Sequence, residues 1–130
     1  MTLLNDSLAI SASGLRAQAT RLRHVSENIA NADTPGYHRK LTRFEPAGTI
    51  GQPPGTVRTG PVTLDPTAPE RIYRPGHPLA DASGHYQGSN VNLMIEIADA
   101  REAQRSYEAN LKLFDQARQM SRGLLDLLRQ

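Results

Sequence analysis

Apolar side chains near the front of the chain recur every seven residues, at Leu8, Leu15, Leu22 and Ile29. Leu4, Ser11, Gln18 and Val25 fill the complementary positions of the same repeat, with Ala12 and Ala19 beside them. A stripe this narrow, near a period of 3.5, predicts a helix with a coiled-coil seam rather than the wide face of a globular-core helix. Asn5, Asp6 and Ser7 offer caps for its start. Its stop is predicted within Asn31-Ala32-Asp33-Thr34-Pro35-Gly36. There Pro35 pushes Thr34 out of helical geometry, and Pro-Gly favours a turn. Gly14 lies inside the helix, where it costs ~1 kcal/mol against Ala. With Ser11, Ala12 and Ser13 it forms a small-residue patch. The patch reads equally as a place for close helix approach and as a tolerated glycine near a fraying end.

The back of the chain carries a longer pattern. Leu93, Ile97, Ala100, Gln104, Tyr107, Leu111, Phe114, Arg118, Ser121, Leu125 and Leu128 alternate spacings of four and three. This predicts a helix over about 93–129, on the order of 55 Å long. Asn90-Val91-Asn92 supplies the N-cap, and Glu96 and Asp99 place negative charge where the helix dipole favours it. Glu108 with Lys112, Asp115 with Arg118 and Asp126 with Arg129 stand at ion-pair spacing. At about 0.2–0.5 kcal/mol each, such pairs decorate a helix and do not drive its formation.

Pro and Gly separate these two segments from an irregular middle. Eight of the nine Pro lie between Pro46 and Pro78, and seven of the ten Gly between Gly48 and Gly88. Val57-Arg58-Thr59 and Val62-Thr63-Leu64 read as two short strands around a Gly60-Pro61 turn, and His85-Tyr86 as another extended piece. The middle holds too little apolar area to stand alone, so it is expected to lean on the helices or on a neighbouring subunit. The fold class expected is mainly α. Two long terminal helices form a coiled-coil-like layer, with a small irregular β-rich middle. The divisions are 1–34, 35–90 and 91–130.

Composition narrows the function. Six aromatic residues among 130 make a closed, dry catalytic pocket a poor expectation. No run approaches the roughly 20 apolar residues that cross a bilayer, and the start lacks the basic and unbroken apolar regions of a cleavable signal. The absence of Cys removes disulfides and zinc–thiolate sites. A net charge of +2 does not point to nucleic acid, and Arg16, Arg21, Arg23, Arg39, Lys40 and Arg43 form no aromatic-laced basic stripe. Arg16 and Arg23, seven apart, share a helix edge and look like partners for acidic seams.

Site chemistry is sparse. His77, Asp81 and His85 include ligand types for a transition metal, but spacings of four build one face only on a helix, and this stretch is rich in Pro and Gly. Asp81 reads instead as the acceptor of an Asx-turn. No Ser sits in a Gly-x-Ser-x-Gly turn, and no Gly-rich phosphate loop follows a strand. No catalytic, cofactor or metal residue is assigned.

What remains is two seams that the rest of the chain cannot cover. Either the helices close as an antiparallel hairpin over the middle, giving a soluble monomeric binding module, or they pack on copies and partners. Gln18, Gln104, Arg118 and Ser121 weaken either pairing in isolation. The terminal segments are therefore expected to be largely disordered in the free monomer and to fold on assembly.

The segment Ser26-Glu27-Asn28-Ile29-Ala30-Asn31-Ala32-Asp33-Thr34-Pro35-Gly36-Tyr37 resembles the signature of the bacterial flagellar axial proteins, the rod and hook subunits. Ala12 to Gln18 is similar to that family's small-residue helix, and Arg105-Ser106-Tyr107-Glu108-Ala109-Asn110 to its second signature. Within the family, Tyr73 to His85 and Asn90-Val91-Asn92 look like the central and last-helix-entry patterns of one proximal-rod subunit, which decide the reading, while the compact Thr34-Pro35-Gly36-Tyr37 turn departs from that subunit and is the form common in its sister FlgB. The resemblance implies a structural subunit without catalysis or cofactor, whose helices form the innermost layer of a torque-transmitting tube around the export channel. It implies export by the flagellar type III system and a place in the flagellar basal body. The partners implied are copies of the chain, the rod proteins FlgB, FlgF and FlgG, and the export-gate adaptor FliE, with no nucleic acid and no membrane span. The assembly interface expected comprises Leu8, Leu15, Leu22, Val25, Asn28, Ile29, Asn31, Thr34, Pro35 and Gly36 at the front, and Ile97, Tyr107, Asn110, Leu111, Phe114 and Leu125 at the back.

Overall fold

The computed structural model describes residues 2–48 and 50–130. Helix α1 spans Thr2–Ala30 and helix α2 spans Leu93–Leu128. Among the described residues six short strands lie between them: β1 (Lys40–Leu41), β2 (Phe44–Pro46), β3 (Val57–Thr59), β4 (Thr63–Leu64), β5 (Arg71–Tyr73) and β6 (His85–Gln87). The molecule is mainly α with a β-rich middle, as the hydrophobic pattern and the Pro/Gly punctuation predict. Among the described residues no helix is long and apolar enough to cross a membrane.

Both inner helix ends follow their local chemistry. Asn92 caps α2, its side chain accepting from the backbone N–H of Met94 at 3.0 Å. α1 stops where Asn31 turns its amide back onto the Glu27 carbonyl, 2.8 Å away. The outer end of α1 departs from expectation. The helix already begins at Thr2, so Asn5, Asp6 and Ser7 are helical residues and not caps. No Pro or Gly interrupts those positions, and Leu3, Leu4 and Leu8 carry the apolar spacing through them.

The two helices form an antiparallel hairpin. Asn28 meets Glu96, Arg21 meets Asp99, and Gly14 faces Asn110. The contact is made by small and polar groups. The buried residues of α1 are Ser11, Ser13, Ala17, Gln18, His24, Val25 and Asn28, and those of α2 are Glu96, Ala103 and Ala117. A Cβ added to Gly14 would lie 3.0 Å from the side chain of Asn110, so the glycine serves close approach within the hairpin.

The described residues of the middle form three separate antiparallel ladders. β2 pairs with β3 through Phe44↔Thr59, Glu45↔Arg58 and Pro46↔Val57. β1 pairs with β4, and β5 with β6. Val57–Thr59 and Thr63–Leu64 are thus both strands, but they do not form the expected hairpin with each other. Gly60 donates its N–H to the Arg43 carbonyl at 2.8 Å, and Pro61 has no N–H to give, so the chain leaves one ladder there and joins the next. The middle leans on α1 of its own chain. Val57 donates its N–H to Ser13 Oγ at 3.1 Å, and His24 Nδ1 lies 2.8 Å from Thr42 Oγ1.

Asp81 organises the loop before β6. It accepts from the backbone N–H of Ser83 and of His85, at 2.9 and 3.1 Å, and from the Ser83 hydroxyl. Those bonds, the hydroxyl's first, hold its pKa down at about 2. His77 lies flat against Tyr86, ring centroids 3.9 Å apart.

Candidate assembly surface and the polar junction behind it

The largest fully buried side chains are Glu96 and Asn28, neither of them apolar. They close a junction where the hairpin meets the middle. Asn28 Nδ2 donates to the Lys40 carbonyl at 3.0 Å and to Glu96 Oε2 at 3.3 Å. Asn28 Oδ1 accepts from Tyr37 Oη and from the Lys40 N–H, both at 2.8 Å. All four bonding positions of this amide are therefore filled, which is what burial demands of it. Arg39 Nε donates to Glu96 Oε1 at 2.5 Å, and its other arm lies 3.4 Å from Asp65 Oδ2. The Arg39 N–H donates to Asn90 Oδ1 at 2.7 Å, and Asn90 Nδ2 donates to the carbonyls of Asp65 and Thr67. Glu96 thus does more than complement the dipole of α2: it anchors the middle segment to that helix through Arg39.

The turn after α1 is docked in the same way. Thr34 Oγ1 donates to Asn31 Oδ1 at 3.0 Å. Gly36, at φ +73°, donates its N–H to the Gly88 carbonyl, and Asn90 donates its N–H to the Tyr37 carbonyl. Burial raises the Tyr37 hydroxyl pKa above its ordinary value. The hydrogen bond from Lys40 lowers Glu27, and the hydroxyl and backbone N–H of Thr67 lower Asp65.

The expected interface residues divide in two. Asn28 and Val25 are buried inside the chain, and the bonds of Asn28 are internal. Tyr107, Asn110 and Phe114 are half-buried, with Asn110 facing Gly14 of α1 and donating to the Ser106 carbonyl at 3.0 Å. Leu8, Leu15, Leu22, Ile29 and Asn31 are half-buried, while Thr34, Pro35 and Gly36 are exposed. Ile97, Leu111 and Leu125 remain 43%, 45% and 44% exposed. The leucine-rich repeats of the two helices are therefore not what closes the hairpin. Ser11, Gln18 and Val25 on one side and Ala103, Asn110 and Ala117 on the other do so, and the Leu8–Leu22 and Ile97–Leu125 rows flank that contact.

Two features carry little sequence signal. Glu96 stands one position from the apolar Ile97, where charge at a helix start looks ordinary. On the opposite side of the hairpin, Leu4, Ile10, Leu113, Ala117 and Met120 line an apolar groove of about 360 Å³. Ile10, Leu113 and Met120 lie off the seven-residue repeat.

Comparison with known proteins converges on one family. Residues 8–38 match the family described as flagella basal body rod protein, and residues 82–127 match the C-terminal region of the flagellar basal body rod FlgEFG proteins. The chain is 42% identical over 138 positions to the flagellar basal-body rod protein FlgC of Agrobacterium fabrum, covering 99% of this chain and 98% of that one. It is 36% identical over 134 positions to FlgC of Salmonella typhimurium, covering 98% of each. It is 30% identical over 143 positions to FlgC of Bacillus subtilis, covering 93% of this chain and 95% of that one. Motif turn, hairpin and full-length similarity agree, and the chain belongs to the FlgC family of flagellar basal-body rod proteins.

Proposed function

We propose that the chain is a structural subunit of the flagellar rod, located in the basal body, that acts by holding its neighbours and not by turnover. The observation that carries this reading is the uncovered leucine face: Ile97, Leu111 and Leu125 stay over two-fifths exposed although an antiparallel partner helix lies beside them. Fully burying a Leu or Ile is worth about 1.5–3 kcal/mol, so covering what remains of several such residues drives association. Non-equivalent surfaces meeting head to tail then build a helical tube. The polar junction at Asn28, Glu96 and Arg39 sets how the middle sits on the hairpin, and so fixes the shape that neighbours meet.

On this reading Leu8, Leu15, Leu22, Ile29, Ile97, Leu111 and Leu125 contact other subunits, with the exposed Thr34-Pro35-Gly36 turn beside them. Val25, Asn28, Asn31, Tyr107, Asn110 and Phe114 shape that surface from within. The partners are copies of the chain and the rod proteins FlgB, FlgF and FlgG, with FliE at the export gate. The chain reaches them unfolded through the type III apparatus, which suits a hairpin closed by small and polar groups. The test is Leu111→Asp. The variant keeps the helicity of the parent chain and fails to build rods. Normal rods in that variant contradict the reading.

A further inference from the structure

One edge of α1 carries Arg16 and Arg23, both exposed, with exposed Ala19 between them, and Arg16 borders the cleft between α1 and β3. Seven residues apart, the two lie one above the other, about 10 Å along the helix. The exposed edge of α2 carries an acidic pair at the same spacing, Glu108 and Asp115, with exposed Leu111 between. Neither pair is committed within the chain. Arg16 and Glu108 close no side-chain hydrogen bond or ion pair among the described residues. Arg23 reaches Glu27 only at 4.0 Å, and Asp115 meets Arg118 at 2.9 Å in a pair half open to solvent. Such surface pairs are worth little and exchange readily.

Resting on the reading of the chain as a rod subunit, we propose that the Arg16–Arg23 edge of one copy docks the Glu108–Asp115 edge of α2 of the adjacent copy. The charges pair as Arg16 with Asp115 and Arg23 with Glu108, and Leu111 is covered between them. Copies set side by side with the same polarity bring α1 of one against the antiparallel α2 of the next. Within the hairpin Gly14 is level with Asn110, so an undisplaced neighbour sets Arg16 against Glu108 but Arg23 against Arg101, a like-charge clash. A displacement of one heptad, about 10 Å, satisfies both arginines. Charge pattern thus selects register, the role charged edges play between packed helices.

Charge-swap pairs in the full chain test this, in cells, with rod formation and swimming as readouts and circular dichroism of each purified variant as the folding control. Arg16→Glu alone replaces an attraction with a like-charge repulsion, weakens the contact several-fold and lowers rod yield. Adding Asp115→Arg restores it, while adding Glu108→Arg does not. Arg23→Glu is restored by Glu108→Arg. Rescue of Arg16→Glu by Glu108→Arg instead overturns the register. Normal rods with both arginines reversed, or no rescue in folded swaps, overturn the docking itself. Loss of rods in Leu111→Asp alongside either result leaves the rod-subunit reading standing, so the two fail separately.

Discussion

Arg39 and Glu96 form an ion pair across the junction of the middle segment and α2, and the Glu96 side chain in it has no solvent exposure. A buried carboxylate tolerates that position only with its partner in place, since breaking a buried pair costs far more than a surface one. Arg39→Met is expected to lower unfolding stability by ~3 kcal/mol. Glu96→Gln, which keeps a bonding group beside Asn28, is expected to cost less. Denaturant titrations of the two variants give the order, and equal losses contradict the assignment of Glu96 as the more demanding partner.

Gln18 lies at the centre of the hairpin contact, 9% exposed, and its Oε1 has no hydrogen-bond partner among the described residues. Leaving a buried acceptor unmet costs about 1–3 kcal/mol. Gln18→Leu is therefore expected to stabilise the isolated chain by ~1 kcal/mol, read as a rise in the denaturant midpoint. A fall in the midpoint contradicts this.

Gly14 and Asn110 are coupled by contact. Alanine gains ~1 kcal/mol over glycine in a helix, but here its Cβ would press on Asn110 at 3.0 Å. Gly14→Ala is expected to gain that stability only in an Asn110→Ala background. A double-mutant cycle measures the coupling, and strict additivity refutes it.

His24 is buried between α1 and the middle, beside Thr42, with Glu27, Arg23 and Lys40 nearby. Burial lowers its pKa below the ordinary 6.5, and Arg23 and Lys40 lower it further against the opposing pull of Glu27. The unfolded chain then binds a proton that the folded chain refuses, so stability is full above the ordinary value and declines as pH drops below it. Unfolding midpoints between pH 7 and 5 are expected to fall in the parent chain and to fall less in His24→Gln. Identical pH profiles contradict this.

The helices were legible in the sequence because local signals agreed: the heptads of Leu8 to Ile29 and Leu93 to Leu128, the Asn92 cap, and the Pro35-Gly36 stop. The β pairings were less so. Val57–Thr59 and Thr63–Leu64 show their extended character locally, but their partners are chosen by long-range bonds such as that from Gly60 to Arg43. The division of labour between seams was hidden for a different reason. Periodicity identifies apolar rows, yet which row a partner helix covers depends on how closely backbones approach, and small Ser11, Gly14, Ala103 and Ala117 allow the closest approach. The junction at Glu96 required knowing that Arg39, fifty-seven positions away, returns to it.

The central claim is that the leucine face left open in the single chain is covered in the rod. The chain has no cysteine, so Leu111→Cys introduces one unique thiol. Its labelling rate is to be compared in the free chain and in isolated basal bodies, in a variant that still builds rods. The account predicts rapid labelling of the free chain and strong protection in the assembled rod. Equal labelling in both states would contradict it.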